Sequence, residues 1–149
     1  MIPAARYRLG NAFRTRRGIR FTCLSVNQVL DLRFLLILDS PHEDEDEVMT
    51  WLVTALPEAE REKENSCRLR LNYVEVWPNS DADPEAARSK RDGYLFYRYR
   101  IEVSPILGEV AKGGQINLAR EVLGYARGER WRWVVCANFE DEVDPDPPQ

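Results

Sequence analysis

The stretch YLFYRYRIEV at residues 94–103 decides the fold predicted for this chain, because two kinds of side chain alternate along it. One set is expected to face a core: Leu95, Tyr97, Tyr99, Ile101 and Val103. The other set is expected to face away from it: Tyr94, Phe96, Arg98, Arg100 and Glu102. A period of two is typical of a β-strand with two unlike faces. The stretch therefore predicts a strand with a basic and aromatic outer face.

Three further segments predict strands. Residues 34–38 form a continuous apolar run, which indicates a strand buried on both faces in the middle of a sheet. Residues 67–77 alternate up to Tyr73 and then change phase, which predicts one strand with a bulge. Residues 131–139 alternate again and predict the last strand.

Two helices are predicted between these strands. Ser40 as an N-cap, followed by Pro41, predicts a helix that begins near residue 41. Pro57 predicts that the regular helix ends or kinks near Leu56. An apolar stripe over residues 116–126, followed by a glycine, predicts the second helix. The resulting order, β-α-β-β-α-β, predicts an α+β domain of ferredoxin-like topology, with a four-stranded antiparallel sheet and two helices on one face.

Charge divides the chain into segments. Residues 1–30 carry six arginines and no acidic residue, so they contribute +6; because the whole chain has a net charge of −4, residues 31–149 carry −10. We expect residues 1–30 to be a basic arm or extension, with a targeting segment or non-native upstream sequence as alternatives. Residues 31–140 form the predicted single domain, for which the length suffices. Residues 141–149 are acidic and rich in proline, and predict a disordered tail.

The composition limits the chemistry. The three cysteines are widely spaced, with no C-x-x-C pair and no histidine near any of them, which argues against zinc and against a complete disulfide framework and favours a reducing cytoplasm. No apolar run approaches the roughly 18 residues that span a bilayer, so no membrane partner is predicted. The single histidine, His42, has no evident partner for nucleophilic catalysis. We therefore predict no cofactor, metal or catalytic residue, and favour binding over enzymatic activity.

A first candidate site is the sheet face away from the helices. The alternation places seven arginine and aromatic side chains there: Arg68, Arg70, Tyr94, Phe96, Arg98, Arg100 and Arg132. Residues 93–99 resemble the RNP1 segment of RNA-recognition motifs, although Asp92 and Leu95 depart from that pattern. The resemblance implies stacking of bases on Tyr94 and Phe96. RNA or single-stranded nucleic acid is therefore an alternative partner, while arginine and aromatic residues are equally typical of protein interfaces.

A second candidate site is an acidic patch at the start of the first predicted helix, formed by Glu43, Asp44, Asp46 and Glu47. Acids at this position stabilise the helix dipole, which is the structural interpretation. They also suit a basic partner. The combined prediction is a protein-binding module that binds another protein or a second copy of itself, with an inhibitor of the immunity-protein or antitoxin kind as the specific hypothesis.

Overall fold

The computed structural model describes residues 13–15, 18–20, 31–106 and 108–143 of the chain. The strands are β1 (Phe13–Thr15), β2 (Gly18–Arg20), β3 (Phe34–Asp39), β4 (Glu60–Lys63), β5 (Ser66–Leu69), β6 (Asn72–Pro78), β7 (Tyr99–Pro105) and β8 (Arg132–Ala137). The helices are α1 (Glu45–Ala55), α2 (Pro84–Ser89), α3 (Lys112–Gly128) and α4 (Glu140–Val143), with a 3₁₀ turn at Gly93–Phe96. The described part of the chain is therefore α+β. None of its helices has the length and apolar character needed to cross a membrane.

The prediction of a four-stranded ferredoxin-like sheet with two helices is wrong. The described residues form a six-stranded antiparallel sheet in the order β4-β5-β6-β7-β3-β8, a separate β1-β2 hairpin, and four helices. One cause is β4, whose four residues EREK are exposed and charged and give no hydrophobic alternation. The other is that the segment predicted as one strand over residues 67–77 is two strands joined by a turn.

The turn between β5 and β6 explains the change of phase that we attributed to a bulge. Leu69 pairs with Asn72, so only Arg70 and Leu71 connect the two strands. Both have positive φ values, 48° and 62°, as a type I′ hairpin turn requires. Neither is Gly, Asn or Asp, the residues that usually mark such a turn, and the hairpin therefore had no sequence signal.

The second half of the predicted strand 94–103 is confirmed and the first half is wrong. β7 begins at Tyr99, and Tyr99, Ile101 and Val103 are buried in the core. Gly93–Phe96 instead forms the 3₁₀ turn. The turn is held by Asn79, whose Nδ2 donates to the carbonyls of Leu95 (2.9 Å) and Tyr97 (2.7 Å). A contact from a residue distant in sequence thus overrides the local alternation.

Helix α1 begins later than predicted. Its N-cap is Asp44, not Ser40, and Asp44 Oδ1 accepts a hydrogen bond from the Glu47 amide at 2.9 Å. Ser40 Oγ instead lies 2.5 Å from His42 Nδ1. The helix ends at Ala55, with Leu56 as its C-cap, so the boundary predicted from Pro57 is confirmed.

One face of the sheet packs against α1 and α3. The buried side chains of that face and of the two helices form one core cluster, which includes Leu36, Leu38, Ile101, Val135, Val48, Leu52, Leu118 and Val122. Helix α4 adds Phe139 and Val143 to the same cluster, and Arg120 Nη2 donates to the Glu142 carbonyl at 2.5 Å. Residues 140–143 therefore pack on the same core as the rest of the described sheet and helices. The rest of the predicted tail, and most of the predicted arm, lie outside the described residues.

Candidate functional site

An open groove of about 570 Å³ lies between α1 and the C-terminal end of α3. Its lining includes His42, Glu47, Thr50, Trp51, Tyr125 and Glu129. Glu47 and Trp51 are four residues apart on α1, and Tyr125 in the last turn of α3 is four residues from Glu129, its C-cap, whose backbone is still helical. Residues at this spacing share one helix face, so each helix presents one aromatic ring and one carboxylate to the groove.

Contacts with neighbouring rings fix the position of the Trp51 side chain in the groove. The ring centroids of Trp51 and Trp131 are 4.6 Å apart, and His42 meets Trp131 edge to face at 5.2 Å. The backbone of His42 is also held, since Tyr99 Oη donates to its carbonyl oxygen at 2.7 Å. These contacts place the Trp51 ring before any ligand binds.

The lining is acidic. Glu47 and Glu129 are its two carboxylates, and it includes no lysine or arginine. Glu47 is held in position, because its Oε2 accepts a hydrogen bond from the Glu43 amide at 2.8 Å. Carboxylates beside the faces of aromatic rings favour a cation over an anion or a neutral group.

Ser40 and His42 form a close pair at one side of this groove. Ser40 is 1% exposed, and its Oγ also accepts from the His42 amide at 3.2 Å, so the hydroxyl shapes the turn before α1. Burial keeps Ser40 away from any ligand in the groove. Among the described residues, no group of three or more His, Cys, Asp or Glu side chains is arranged to hold a metal ion.

Three of the predicted sheet-face arginines do share the sheet face opposite α1 and α3. Strand register places Arg68 opposite Tyr73, Arg100 opposite Trp77, and Arg132 opposite Asp39 on that face. Each arginine is paired with a carboxylate of this chain: Arg68 with Glu62 (2.6 Å), Arg100 with Glu102 (2.9 Å), and Arg132 with Asp39. Their charges are therefore largely matched within the domain.

The other four predicted members are not in strands of the sheet. Arg70 is in the β5-β6 turn and forms ion pairs with Glu58 (2.6 Å) and with Glu121 of α3 (2.7 Å). Tyr94 and Phe96 belong to the 3₁₀ turn, whereas the RNP1 resemblance implies outward-facing aromatics on a strand. Arg98 is exposed and precedes β7.

The acidic patch is partly structural. Asp44 caps α1, Asp46 pairs with Arg61, and Glu47 accepts from the Glu43 amide. These contacts support the helix-dipole interpretation. All four carboxylates lie at the N-terminal end of α1. Glu47 also lines the groove.

Sequence reasoning missed most of the groove. Of the groove residues, the sequence patterns single out His42 and Glu47 but not Trp51, Tyr125 or Glu129. One signal was available in the sequence: Trp51 lies four residues after Glu47, and Tyr125 lies four residues before Glu129. Comparison of the chain with protein-family models, with curated proteins and with solved structures finds no significant match.

Proposed function

We propose that this protein is a non-enzymatic protein-binding module that binds a basic partner through the acidic surface at the start of α1 and the adjoining groove. The observation that carries the proposal is the groove itself, in which two carboxylates and two aromatic rings meet without a lysine or arginine in the lining. Glu43 and the carboxylates in the first turn of α1 extend the same negative charge beyond the groove.

Two physical effects support this function. Clustered carboxylates attract a positively charged partner and increase the rate of association, an effect that is strongest at low salt. Aromatic side chains bury a large area with little loss of conformational entropy and therefore often anchor protein interfaces. Trp51 and Tyr125 are placed to supply such anchors within the acidic surface.

Inhibitors that mask a basic protein, such as immunity proteins and antitoxins, are the specific class we propose. The support is the net charge of −10 over residues 31–149. The free thiols of Cys67 and Cys136 support a reducing, cytoplasmic compartment. Binding of RNA through the open sheet face is the competing function, and it would require arginines that now pair with carboxylates to turn toward phosphate groups.

The test compares two doubly neutralised variants. Glu43→Gln with Glu45→Gln removes two charges at the start of α1, where neither carboxylate makes a hydrogen bond or ion pair within the described part of the chain. Glu85→Gln with Glu109→Gln removes two charges elsewhere and serves as the control. Each protein is used to capture partners from the native host, and the affinity for a captured protein is then measured at low and moderate salt.

We expect a basic protein to bind the wild type and the control equally. The Glu43/Glu45 variant should bind about three to ten times more weakly, because two exposed charges contribute on the order of 1 kcal/mol together. Equal affinities for all three proteins would contradict the proposal. So would recovery of RNA, stable to moderate salt, in place of a protein.

A further inference from the structure

We propose that the groove between α1 and α3 binds the guanidinium group of an arginine side chain. The identity of the arginine as part of a basic protein rests on the proposed function; the recognition of guanidinium by the groove does not. The juxtaposition that carries the inference is an indole and a phenol from two different helices with a carboxylate beside each.

The aromatic rings match a flat cation. Trp51 is half-buried on α1, and Tyr125 on α3 is 40% exposed, so both present ring surface to the groove. A cation over the face of tryptophan or tyrosine is attracted by the negative potential of the ring. Guanidinium is planar and weakly hydrated, and it stacks on such faces more readily than the ammonium group of lysine.

The two carboxylates of the groove complement the positive charge and the N–H donors of guanidinium. Glu47 and Glu129 enter the groove from the two helices that flank it. Guanidinium carries five N–H donors, which suit two carboxylates approached from different sides. Arg61 reaches the groove edge by donating to Thr50 Oγ1 at 2.8 Å, but it also pairs with Asp46, so its charge is matched outside the lining.

The shape of the groove favours a side chain that enters from a larger partner. A volume of about 570 Å³ exceeds that of one guanidinium group, and the groove is open to solvent. An open site leaves room for the aliphatic part of arginine and for the polypeptide that carries it. The contact of Trp51 with Trp131 at 4.6 Å reduces the cost of ordering this wall on binding.

The experiment titrates the full chain with N-acetylarginine methylamide and, in parallel, with N-acetylcitrulline methylamide, which has nearly the same shape but no charge. Tryptophan fluorescence and the NMR signals of the indole N–H groups report on binding, since Trp51 lines the groove. We expect weak, saturable binding of the arginine compound with a shift of the Trp51 signal. The citrulline compound should leave that signal unchanged.

Matched variants identify the site. Tyr125→Ala and Glu129→Gln should each weaken binding about threefold or more, and Tyr125→Phe should retain it because the ring remains. Tyr73→Ala and Glu109→Gln are the controls, since Tyr73 is 41% exposed, as Tyr125 is 40% exposed, but neither control residue lines the groove. Thermal melts verify that all variants fold.

Two results would overturn the inference: equal binding of the arginine and citrulline compounds, or equal effects of Tyr125→Ala and Tyr73→Ala. Its failure is distinguishable from failure of the proposed function. Capture of a basic protein that depends on Glu43 and Glu45, without arginine binding in the groove, leaves the proposed function intact and removes only this inference. Arginine binding in the groove without capture of any basic protein would support this inference and contradict the proposed function.

Discussion

Asn72 and Gln115 exchange two hydrogen bonds across the buried contact between β6 and α3. Asn72 Nδ2 donates to Gln115 Oε1, and Gln115 Nε2 donates to Asn72 Oδ1, both at 2.9 Å. Asn72 Nδ2 also donates to the Arg70 carbonyl at 2.9 Å, and Gln115 Nε2 to the Leu32 carbonyl at 2.9 Å. The two side chains are 0% and 2% exposed. The pair therefore joins the β5-β6 turn, the start of α3 and the segment before β3.

Breaking this pair should be costly. Asn72→Leu or Gln115→Met leaves the remaining amide buried without its partner, and we expect each to lower the free energy of unfolding by about 1–3 kcal/mol. The double variant should cost less than the sum of the two, because it removes both unsatisfied groups. Urea unfolding measures all three, and Asn117→Leu on the exposed face of α3 is the control. Strictly additive costs would mean that the two amides do not act together.

Gly93 should tolerate no side chain. A Cβ atom at this position would lie 2.2 Å from the Ala87 carbonyl oxygen, so Gly93→Ala must displace α2 from the 3₁₀ turn. We expect a loss of on the order of 1–3 kcal/mol in thermal or urea unfolding. Gly124→Ala is the matched control, because open space surrounds that position on α3 and alanine favours the helix by up to about 1 kcal/mol. A Gly93→Ala variant as stable as the wild type would refute the close contact.

Arg132 should hold the α2 segment against the sheet. Its Nη1 donates to the Ala87 carbonyl at 3.1 Å, its guanidinium lies 5.1 Å from the Tyr97 ring centroid, and it pairs with Asp39. Arg132→Ala should speed tryptic cleavage at Arg88, Lys90 and Arg91 severalfold, since local opening becomes easier. Arg100→Ala breaks the pair with Glu102 on the same sheet face and leaves the Arg132 contact with Ala87 in place, so its cleavage rate at these sites should match that of the wild type.

The described thiols should be unreactive in the folded protein. Burial raises the pKa of Cys67 to about 11 and that of Cys136 to about 12, so the thiolate fraction at about pH 8 is small. In a Cys23→Ser background, a disulfide reagent should modify both slowly in native buffer and rapidly in denaturant. Fast native modification of either thiol would contradict its burial.

The same shifts predict a loss of stability at alkaline pH. Well below pH 9.0, the ordinary pKa of the thiol, both thiols are protonated in folded and unfolded chains, so their contribution is complete there. Above it the unfolded chain releases protons first, and stability falls until the pH passes the folded values of about 11 and 12. Cys136→Ala should reduce this slope in urea unfolding measured above about pH 9. An unchanged slope would mean that Cys136 does not titrate differently in the two states.

Local patterns in the sequence determined the parts of the fold that depend on near neighbours. Pro57 ends α1 because it has no backbone N–H to donate. The alternation of apolar and polar residues predicted strand β8 and the core-facing residues of β7 from Tyr99 onward. The apolar run at residues 34–38 produced an interior strand, flanked by β7 and β8. In each case the cause acts over one turn of helix or a few residues of strand.

Only the tertiary structure decided the features that join distant segments. Arg70 and Leu71 adopt positive φ because pairing of β5 with β6 and the ion pairs of Arg70 offset the local cost. The alternation at residues 94–98 yields to the hydrogen bonds of Asn79. The groove likewise needs α1 and the end of α3 side by side, an arrangement that depends on burial of the shared core and that no local pattern encodes.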